Sequence, residues 1–375
     1  MELSVRRSDF LYQLTPIQSI AGKKVTVAIL GNVLLEAAPG RLALAATDLE
    51  IGFRTDLEAQ VKTEGSITLP AKKLFEIVRE AEAETVQLRE LENHWVEITA
   101  GTGLYTLAGL PSEDFPAFPP YDEVPLVAFP APVLKDLIDR TIFSIAQASE
   151  GRFTFTAALL EREVKADGEY LRMVSSDSHR LSMMERRIEG SLGDLTFDRN
   201  ILIPRRAITE LAKICESRTG DLQFGFDDKQ AVVRVENGVM VIRLMVGEFP
   251  RYRDLLAAIT LDKPLEIDRL RFLGTLRRIN LLTEDQNHVV NFRIEGQRLF
   301  LSSRSVDLGS ARDEIMLRSQ GDDMQVGFNC RYFIDVLQVL QGETIKAYLN
   351  SDESPCLVRT DEDEGFAGII MPMKV

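Results

Sequence analysis

Apolar and polar residues alternate along much of the chain, in short runs that meet at small, polar turns. One such run is GEYLRMVSSDSHRLSMM at 168–184, in which an alternating strand reaches a turn and leaves as a second strand. Runs of the same design are GRLALAATDLEIGFR at 40–54 and GQRLFLSSRSVDLGSAR at 296–312. Alternation with a period of two is typical of half-buried strands, so each run predicts a β-hairpin.

Each hairpin is followed by a short strand, a break and a helix whose apolar residues form one stripe. The three copies are ITLPAKKLFEIVRE at 67–80, ILIPRRAITELAKIC at 201–215 and VGFNCRYFIDVLQVL at 326–340. An opening helix also recurs, as RSDFLYQLTPIQSI, PAPVLKDLIDRTIFSI and LRFLGTLRRINLL, and so does a closing strand. Four landmarks in one order predict three copies of a single α+β unit.

Two stretches rich in proline and polar residues separate the copies and are typical of linkers. They are PSEDFPAFPPYDEVP at 111–125 and GEFPRYRDLLAAITLDKP at 247–264. We therefore expect an N-terminal domain at 1–125, a middle domain at 126–255 and a C-terminal domain at 256–375.

The composition is that of an ordinary globular protein, with 45% hydrophobic and 27% charged residues. No run approaches the roughly 18 to 20 apolar residues that a membrane helix needs, and MELSVRRSDF has no apolar core of a signal peptide. Cys215, Cys330 and Cys356 lack metal-site spacing. We expect a cytoplasmic protein with reduced thiols, no metal and no cofactor.

The string Ser-Ser-Asp-Ser-His at 175–179 contains the residue types of a serine hydrolase. A tight turn explains it without chemistry, because Asp and Ser favour turns by bonding nearby backbone. Members of a hydrolase triad come from separate parts of a chain, and no G-x-S-x-G string occurs. We therefore expect a hairpin. Labelling by an active-site serine probe that is lost on His179→Ala would support hydrolysis instead.

The strings TDLE, SDSHRL, EFPRYR and the terminal MPMKV give the chain a family resemblance. It resembles, over its full length, the bacterial DNA polymerase III sliding clamp, the beta subunit that confers processivity. The resemblance implies inner helices, outer antiparallel sheets and a head-to-tail homodimer that forms a ring of six units around duplex DNA. It implies no catalysis, and as partners it implies the polymerase catalytic subunit, the clamp loader and repair proteins.

The net charge of −14 argues at first against a nucleic-acid partner, whose binders usually carry a basic surface. Lys72, Arg206 and Arg331, however, hold equivalent positions at the start of the three second helices. This recurrence favours a basic lining inside an acidic body, which would hold phosphates without reading bases. The other residues that we expect to face DNA are Lys73, Arg79, Lys135, Arg140, Arg205, Lys213, Arg277 and Arg278.

In the family, partners dock through short peptides in an apolar groove between the middle and C-terminal domains. Several of the equivalent residues would serve equally well as core. Two residues depart from the family pattern: Ser178 replaces a turn glycine, and Phe155 is bulkier than an aliphatic residue. The resemblance implies a groove lined by Phe155, Ser176, His179, Arg180, Leu181, Pro250, Leu255, Ile369, Met371, Pro372 and Met373.

For the dimer, the resemblance pairs a strand of the first unit with the third unit of a second copy. Tyr105 and Leu107 would then contact Ile279 and Leu281. The strand segment AGTGLYTLAG has no arginine, so we expect backbone pairing and apolar burial to hold this contact. The competing hypothesis is an acidic repeat scaffold that binds proteins alone, and retention on DNA separates the two.

Overall fold

The computed structural model describes residues 1–22, 27–147, 153–188, 192, 195, 197, 200–216, 219–283, 288–305 and 307–374. Three times in succession, an opening strand and helix lead to a meander of strands, a second helix and three closing strands. The prediction of three copies of one α+β unit is confirmed. Among the described helices, none is long and apolar enough to cross a membrane.

The first repeat has one strand more than the others, and a two-residue strand follows it in the first linker. Its elements are β1 (Glu2–Arg6), α1 (Arg7–Ile20), β2 (Asn32–Ala38), β3 (Arg41–Thr47), β4 (Ile51–Glu58), β5 (Gln60–Thr63), β6 (Gly65–Pro70), α2 (Ala71–Glu80), β7 (Thr85–Glu90), β8 (Trp95–Ala100), β9 (Gly103–Ala108) and β10 (Leu110–Pro111).

The second repeat is followed by a short helix in the second linker. Its elements are β11 (Val127–Pro130), α3 (Ala131–Asp139), β12 (Ala157–Lys165), β13 (Gly168–Ser176), β14 (Arg180–Arg187), β15 (Ile201–Pro204), α4 (Arg205–Glu216), β16 (Asp221–Phe226), β17 (Gln230–Val235), β18 (Gly238–Arg243) and α5 (Tyr252–Ala257).

The third repeat has the element order of the second. Its elements are β19 (Leu265–Asp268), α6 (Arg269–Asn280), β20 (Val289–Glu295), β21 (Arg298–Ser305), β22 (Gly309–Met316), β23 (Met324–Asn329), α7 (Cys330–Val339), β24 (Thr344–Tyr348), β25 (Cys356–Arg359) and β26 (Phe366–Ile370).

The second helix of each repeat begins directly after the predicted break. Pro70 and Pro204 end the strands before α2 and α4, where a residue without a backbone N–H leaves no donor unsatisfied. Before α7, Asn329 caps the helix instead: its side chain accepts a 3.0 Å hydrogen bond from the Arg331 backbone N–H. Two kinds of start signal thus give the same element.

The chain divides into two compact units, and the first comprises Met1–Pro132, Leu192–Thr196 and Arg206–Leu244. It contains a five-stranded sheet of order β5-β1-β7-β8-β9 and a nine-stranded sheet of order β10-β6-β2-β3-β4-β18-β17-β16-β11. Helix α1 packs on α2 and on the face of β3 and β4. The antiparallel pair β4–β18 joins the first repeat to the second half of the middle repeat.

The second unit comprises Val133–Ser191, Phe197–Arg205 and Met245–Val375. It contains an eight-stranded sheet of order β15-β12-β13-β14-β26-β25-β24-β19 and a four-stranded sheet of order β22-β21-β20-β23. Here β14 pairs with β26, which joins the first half of the middle repeat to the third. The compact units therefore follow the continuous sheets, whereas the predicted domain bounds follow the sequence repeat.

Candidate functional site

The turn between β13 and β14 is held by Ser and Asp side chains of the string that contains the residue types of a serine hydrolase. Asp177 Oδ1 accepts hydrogen bonds from the backbone N–H groups of His179 and Arg180, both at 3.0 Å. Ser176 Oγ donates to the Arg180 carbonyl at 2.7 Å and accepts from the Ser178 N–H at 3.2 Å. These side-chain groups make the hydrogen bonds that hold the turn, so the hairpin interpretation is confirmed.

Arg180 ties this hairpin to helix α7. Its guanidinium pairs with Asp335 and lies 4.5 Å from the centre of the Tyr332 ring. It also donates to the Phe143 carbonyl at 2.6 Å and to Asp177 at 2.8 Å. Hydrogen bonds to charged groups of this kind are stronger than neutral ones, so the hairpin tip has a fixed position.

The predicted groove residues Leu181, Leu255 and Ile369 meet in one apolar cluster of the second unit, hereafter the groove cluster. Leu181 and Ile369 are directly opposite each other on β14 and β26. Helix α5 brings the partly buried Leu255 against the cluster. The buried members of the groove cluster are Ala157, Leu159, Val174, Leu181, Met183, Leu202, Phe249, Tyr252, Ile259, Leu357, Ala367 and Ile369.

The remaining predicted groove residues have different degrees of exposure. His179 and Pro250 are exposed, and the three residues Met371, Pro372 and Met373 are half-buried. The C-terminal segment follows the hairpin, because the Met371 N–H donates to the His179 carbonyl at 2.9 Å. The Met373 N–H donates to the Gly327 carbonyl at 2.8 Å. Half-buried methionines are an adaptable surface for a peptide.

Phe155 and Ser176 are buried, at 9% and 7% exposure. Phe155 lies two residues before β12, and its carbonyl accepts a 3.0 Å hydrogen bond from the Ala146 N–H. The Ser176 hydroxyl is committed to the turn. Both side chains therefore offer a bound peptide less surface than the methionines do.

Sequence reasoning missed two aromatic anchors of this cluster, Phe249 and Tyr252. They flank Pro250, with 7% and 5% exposure, and their ring centres are 6.4 Å apart in an edge-to-face arrangement. The sequence did contain a signal for these anchors, namely large aromatic residues on both sides of a proline in a linker. A freely mobile linker rarely carries such residues.

The predicted DNA-facing residues of the first unit lie on the exposed sides of α2 and α4. Lys72 and Lys73 pair with Glu76 at 3.9 and 2.8 Å, and both side chains are more than 60% exposed. Arg206 pairs with Asp48 at 2.6 Å. Arg79 and Lys213 are each 53% exposed beside an acidic neighbour on their own helix. All five remain accessible to phosphates.

In the second unit the predicted basic residues divide into two groups. Arg277, Arg278 and Arg331 are exposed, whereas Lys135 and Arg205 are half-buried. Lys135 pairs with Asp139 at 2.5 Å. Arg205 donates to the Ile145 carbonyl.

Arg140 contradicts its prediction. Its side chain is only 5% exposed and pairs with Asp136 at 2.9 Å and with the buried carboxylate of Asp363. A guanidinium enclosed by two carboxylates cannot contact a phosphate on the surface. Its role is to neutralise buried acidic groups. The prediction was wrong because the residues next to Arg140 in the sequence give no sign of an acidic partner as distant as Asp363.

One edge strand and the end of helix α6 carry the residues of the predicted dimer contact. Strand β9 ends the five-stranded sheet of the first unit, and Tyr105 on it is 41% exposed while Leu107 is half-buried. Strand β22 ends the four-stranded sheet of the second unit. Leu281, directly after α6, is 74% exposed. Ile279 is only 1% exposed, so the prediction that it contacts a second copy is wrong.

Comparisons with known proteins match the whole length of the chain. Residues 1–119, 128–251 and 260–374 match the models of the N-terminal, central and C-terminal domains of the DNA polymerase III beta subunit. The beta sliding clamp of Caulobacter vibrioides is 31% identical over 388 residues, covering 100% of both chains. That of Chlamydia pneumoniae is 26% identical over 375 residues, covering 100% of this chain and 99% of the relative.

Solved structures give the same result for the fold. The Caulobacter crescentus polymerase III beta structure has a TM-score of 0.91 at 28% identity, and each chain covers 100% of the other. A sliding clamp from Bartonella birtlesii, solved with griselimycin bound, has a TM-score of 0.91 at 27% identity, again with full coverage of both chains.

Proposed function

The chain belongs to the DNA polymerase III beta subunit family, and on that premise we propose that it is a sliding clamp. It encircles duplex DNA, tethers the replicative polymerase and thereby confers processivity, without catalysing a reaction itself. The observation that carries this function is the ordered match of all three domain models to the three structural repeats. As a protein of chromosomal replication it would act in the cytoplasm.

Ring closure by two copies is supported by the sheet edges. Strands β9 and β22 each have a paired neighbour on one side and an open row of backbone groups on the other. An open edge favours pairing with a second chain. Tyr105 adds exposed apolar area on β9, and Leu281 adds exposed apolar area at the end of α6. Two identical contacts related by a twofold axis close a head-to-tail dimer.

The grip on DNA would come from the exposed basic residues of the helices. Lys72, Arg206 and Arg331 occupy the same helical position in three repeats and retain accessible charge. Contacts of this kind to phosphate oxygens fix no sequence, so the ring can move along the duplex. The net charge of −14 of the whole chain means that acidic residues predominate away from these positions, which discourages adhesion of the outer surface to DNA.

The groove cluster would receive short peptides of the polymerase catalytic subunit, the clamp loader and repair proteins. Its buried apolar residues would form the floor. The exposed residues His179 and Pro250 and the half-buried Met371 and Met373 would form its rim. An apolar site with a few polar groups around it suits an extended peptide with apolar anchors.

The test is product length on a primed single-stranded template. A matched polymerase and clamp loader with ATP are combined with the protein, and enzyme dilution restricts each primer to a single binding event. Products that lengthen only when both the loader and this protein are present support the clamp. Products of unchanged length, with a known clamp active in parallel, contradict it.

A further inference from the structure

A cluster of ionised side chains continues the same sheet face that carries the groove cluster. Its centre is Arg172 of β13, which is 8% exposed. Glu161 of β12 and Glu185 of β14 lie directly opposite Arg172 on the two neighbouring strands. Two residues along β13, Val174 faces Met183 in the groove cluster. Residues two apart on a strand lie on the same face, so this face changes from ionic at Arg172 to apolar at Val174.

The Arg172 guanidinium is bound from three sides. Its Nε and Nη2 lie 3.0 and 2.6 Å from Glu185 Oε2, and its Nη1 lies 3.3 Å from Glu161 Oε1 and 3.1 Å from Glu163 Oε2. Although burial alone would lower the pKa of Arg172, its hydrogen bonds to Glu185 and Tyr252 raise that pKa above the ordinary value. A buried charge with this many partners is rigidly placed.

Tyr252 links the ionic cluster to the groove cluster. Its ring is part of the groove cluster, while its hydroxyl donates to Glu161 and accepts a 3.0 Å hydrogen bond from Arg172. Burial and the bond to Glu161 raise the pKa of Tyr252 to about 12. The hydroxyl therefore keeps its proton at neutral pH and remains a donor to the carboxylate.

Arg253 adds a second attachment at the next position. Its Nη2 lies 2.9 Å from Glu161 Oε1 and 2.6 Å from Glu163 Oε2. This hydrogen bond holds the pKa of Glu163 below its usual range. The first two residues of α5 are thus both bonded to β12 through carboxylates.

Helix α5 depends on these bonds for its position. It has six residues, and Arg251 at its N-cap provides no side-chain cap. Helices shorter than about 12 residues are marginal on their own in water, so contacts with the sheet must hold this one. Pro250 lies two residues before Tyr252, and Leu255 lies three residues after it. Two predicted groove residues therefore flank the attachment point.

We propose that the bonds of Tyr252 to Arg172 and Glu161 position α5, so that Leu255 and Pro250 form a preformed wall of the partner groove. Tyr252 is then a positioning residue that sets partner affinity without offering its hydroxyl to the peptide. This inference rests on the proposed docking function of the groove.

The decisive variant is Tyr252→Phe, which keeps the ring in the groove cluster and removes the hydroxyl alone. Binding to the immobilised catalytic subunit of a matched polymerase is measured by surface plasmon resonance. Loss of one hydrogen-bonded anchor predicts affinity weaker by about tenfold, mainly through faster dissociation. The matched control is Tyr170→Phe, because Tyr170 lies on β13 of the same sheet and its hydroxyl donates to Asp167 in the preceding turn, away from α5.

A double-mutant cycle with Leu255→Ala separates positioning from general destabilisation. If Tyr252 acts through the α5 wall, Tyr252→Phe changes affinity little once Leu255 has been truncated. Equal losses in both backgrounds, or wild-type affinity for Tyr252→Phe, would overturn the positioning role alone. A wild-type protein that does not bind the polymerase at all would instead overturn the docking function on which it rests.

Discussion

Ser178 and Leu49 have the same left-handed backbone conformation, with φ of 78° and 75°, at the tips of equivalent hairpins in two repeats. In both turns the preceding aspartate accepts hydrogen bonds from the two backbone N–H groups that follow the tip residue. The turn geometry is therefore common to both repeats, although neither tip residue is the glycine that this conformation favours.

Replacing Ser178 by glycine should stabilise the second unit. Left-handed backbone strains a residue with a Cβ by roughly 1 to 2 kcal/mol, and part of the gain is lost to the greater freedom of unfolded glycine. We expect Ser178→Gly to raise the free energy of unfolding by about 0.5 to 1 kcal/mol in urea denaturation. Ser178→Ala, which retains the strain, serves as the control. A stabilised alanine variant would contradict this explanation.

The repeat and its hairpins could be predicted because turns, breaks and alternation are local signals. The pairing of Arg140 with Asp363 could not, since Asp363 lies far along the chain in the turn between β25 and β26, and no local pattern predicts a buried ion pair. The burial of Ile279 could not be predicted either, because an apolar residue on an amphipathic helix faces either its own core or a partner. The family resemblance placed Leu181 and Ile369 in one groove, whereas their direct pairing on β14 and β26 came only from the structure.

The C-terminal methionines should carry a large share of partner affinity. Met371→Ala and Met373→Ala each remove a half-buried, adaptable side chain from the groove rim, and each should weaken polymerase binding by about tenfold. Binding kinetics on the immobilised polymerase provide the measurement. Val164→Ala, at a 65% exposed position of β12, is the matched control and should bind as the wild type does. Equal effects at all three positions would refute a localised groove.

The contact between copies should depend on apolar area at the β9 edge. Truncation of Tyr105 and Leu107 to alanine removes roughly 2 to 3 kcal/mol of apolar burial per contact. Because two such contacts close the dimer, its dissociation constant should rise about 10³- to 10⁴-fold. Sedimentation velocity over a dilution series measures this constant. The wild-type constant should change little with salt. Strong salt sensitivity would mean that ion pairs hold the contact instead.

The basic helix positions should contribute sequence-independent DNA affinity. Lys72→Ala combined with Arg206→Ala and Arg331→Ala should weaken binding to any duplex and reduce the slope of log K against log salt by about 1 per lost contact. Fluorescence anisotropy on two unrelated duplexes tests both features. Lys62→Ala with Lys263→Ala, which removes highly exposed strand and loop lysines, is the control. An equal loss of duplex affinity in the control would mean that DNA does not contact the helix positions specifically.

The cysteines should be inert in the folded protein. All three are buried, and burial raises the pKa of Cys330 and of Cys356 to about 12. These values exceed the ordinary thiol value of about 8.5, so at pH 8 both groups remain protonated and lack the reactive thiolate. In a Cys215→Ser background, a colorimetric disulfide reagent should detect two thiols only after denaturation. Rapid labelling of the folded protein would contradict this.

The central claim is a topological link to DNA, and the most direct test compares circular with linear duplex. The protein is loaded on a singly nicked plasmid with a matched loader and ATP, washed in moderate salt, and the plasmid is then cut. A ring stays on the circle and is released by cutting, which is the predicted result. Equal retention on circle and line would mean an ordinary DNA-binding surface, and no retention beside an active known clamp would favour a protein scaffold.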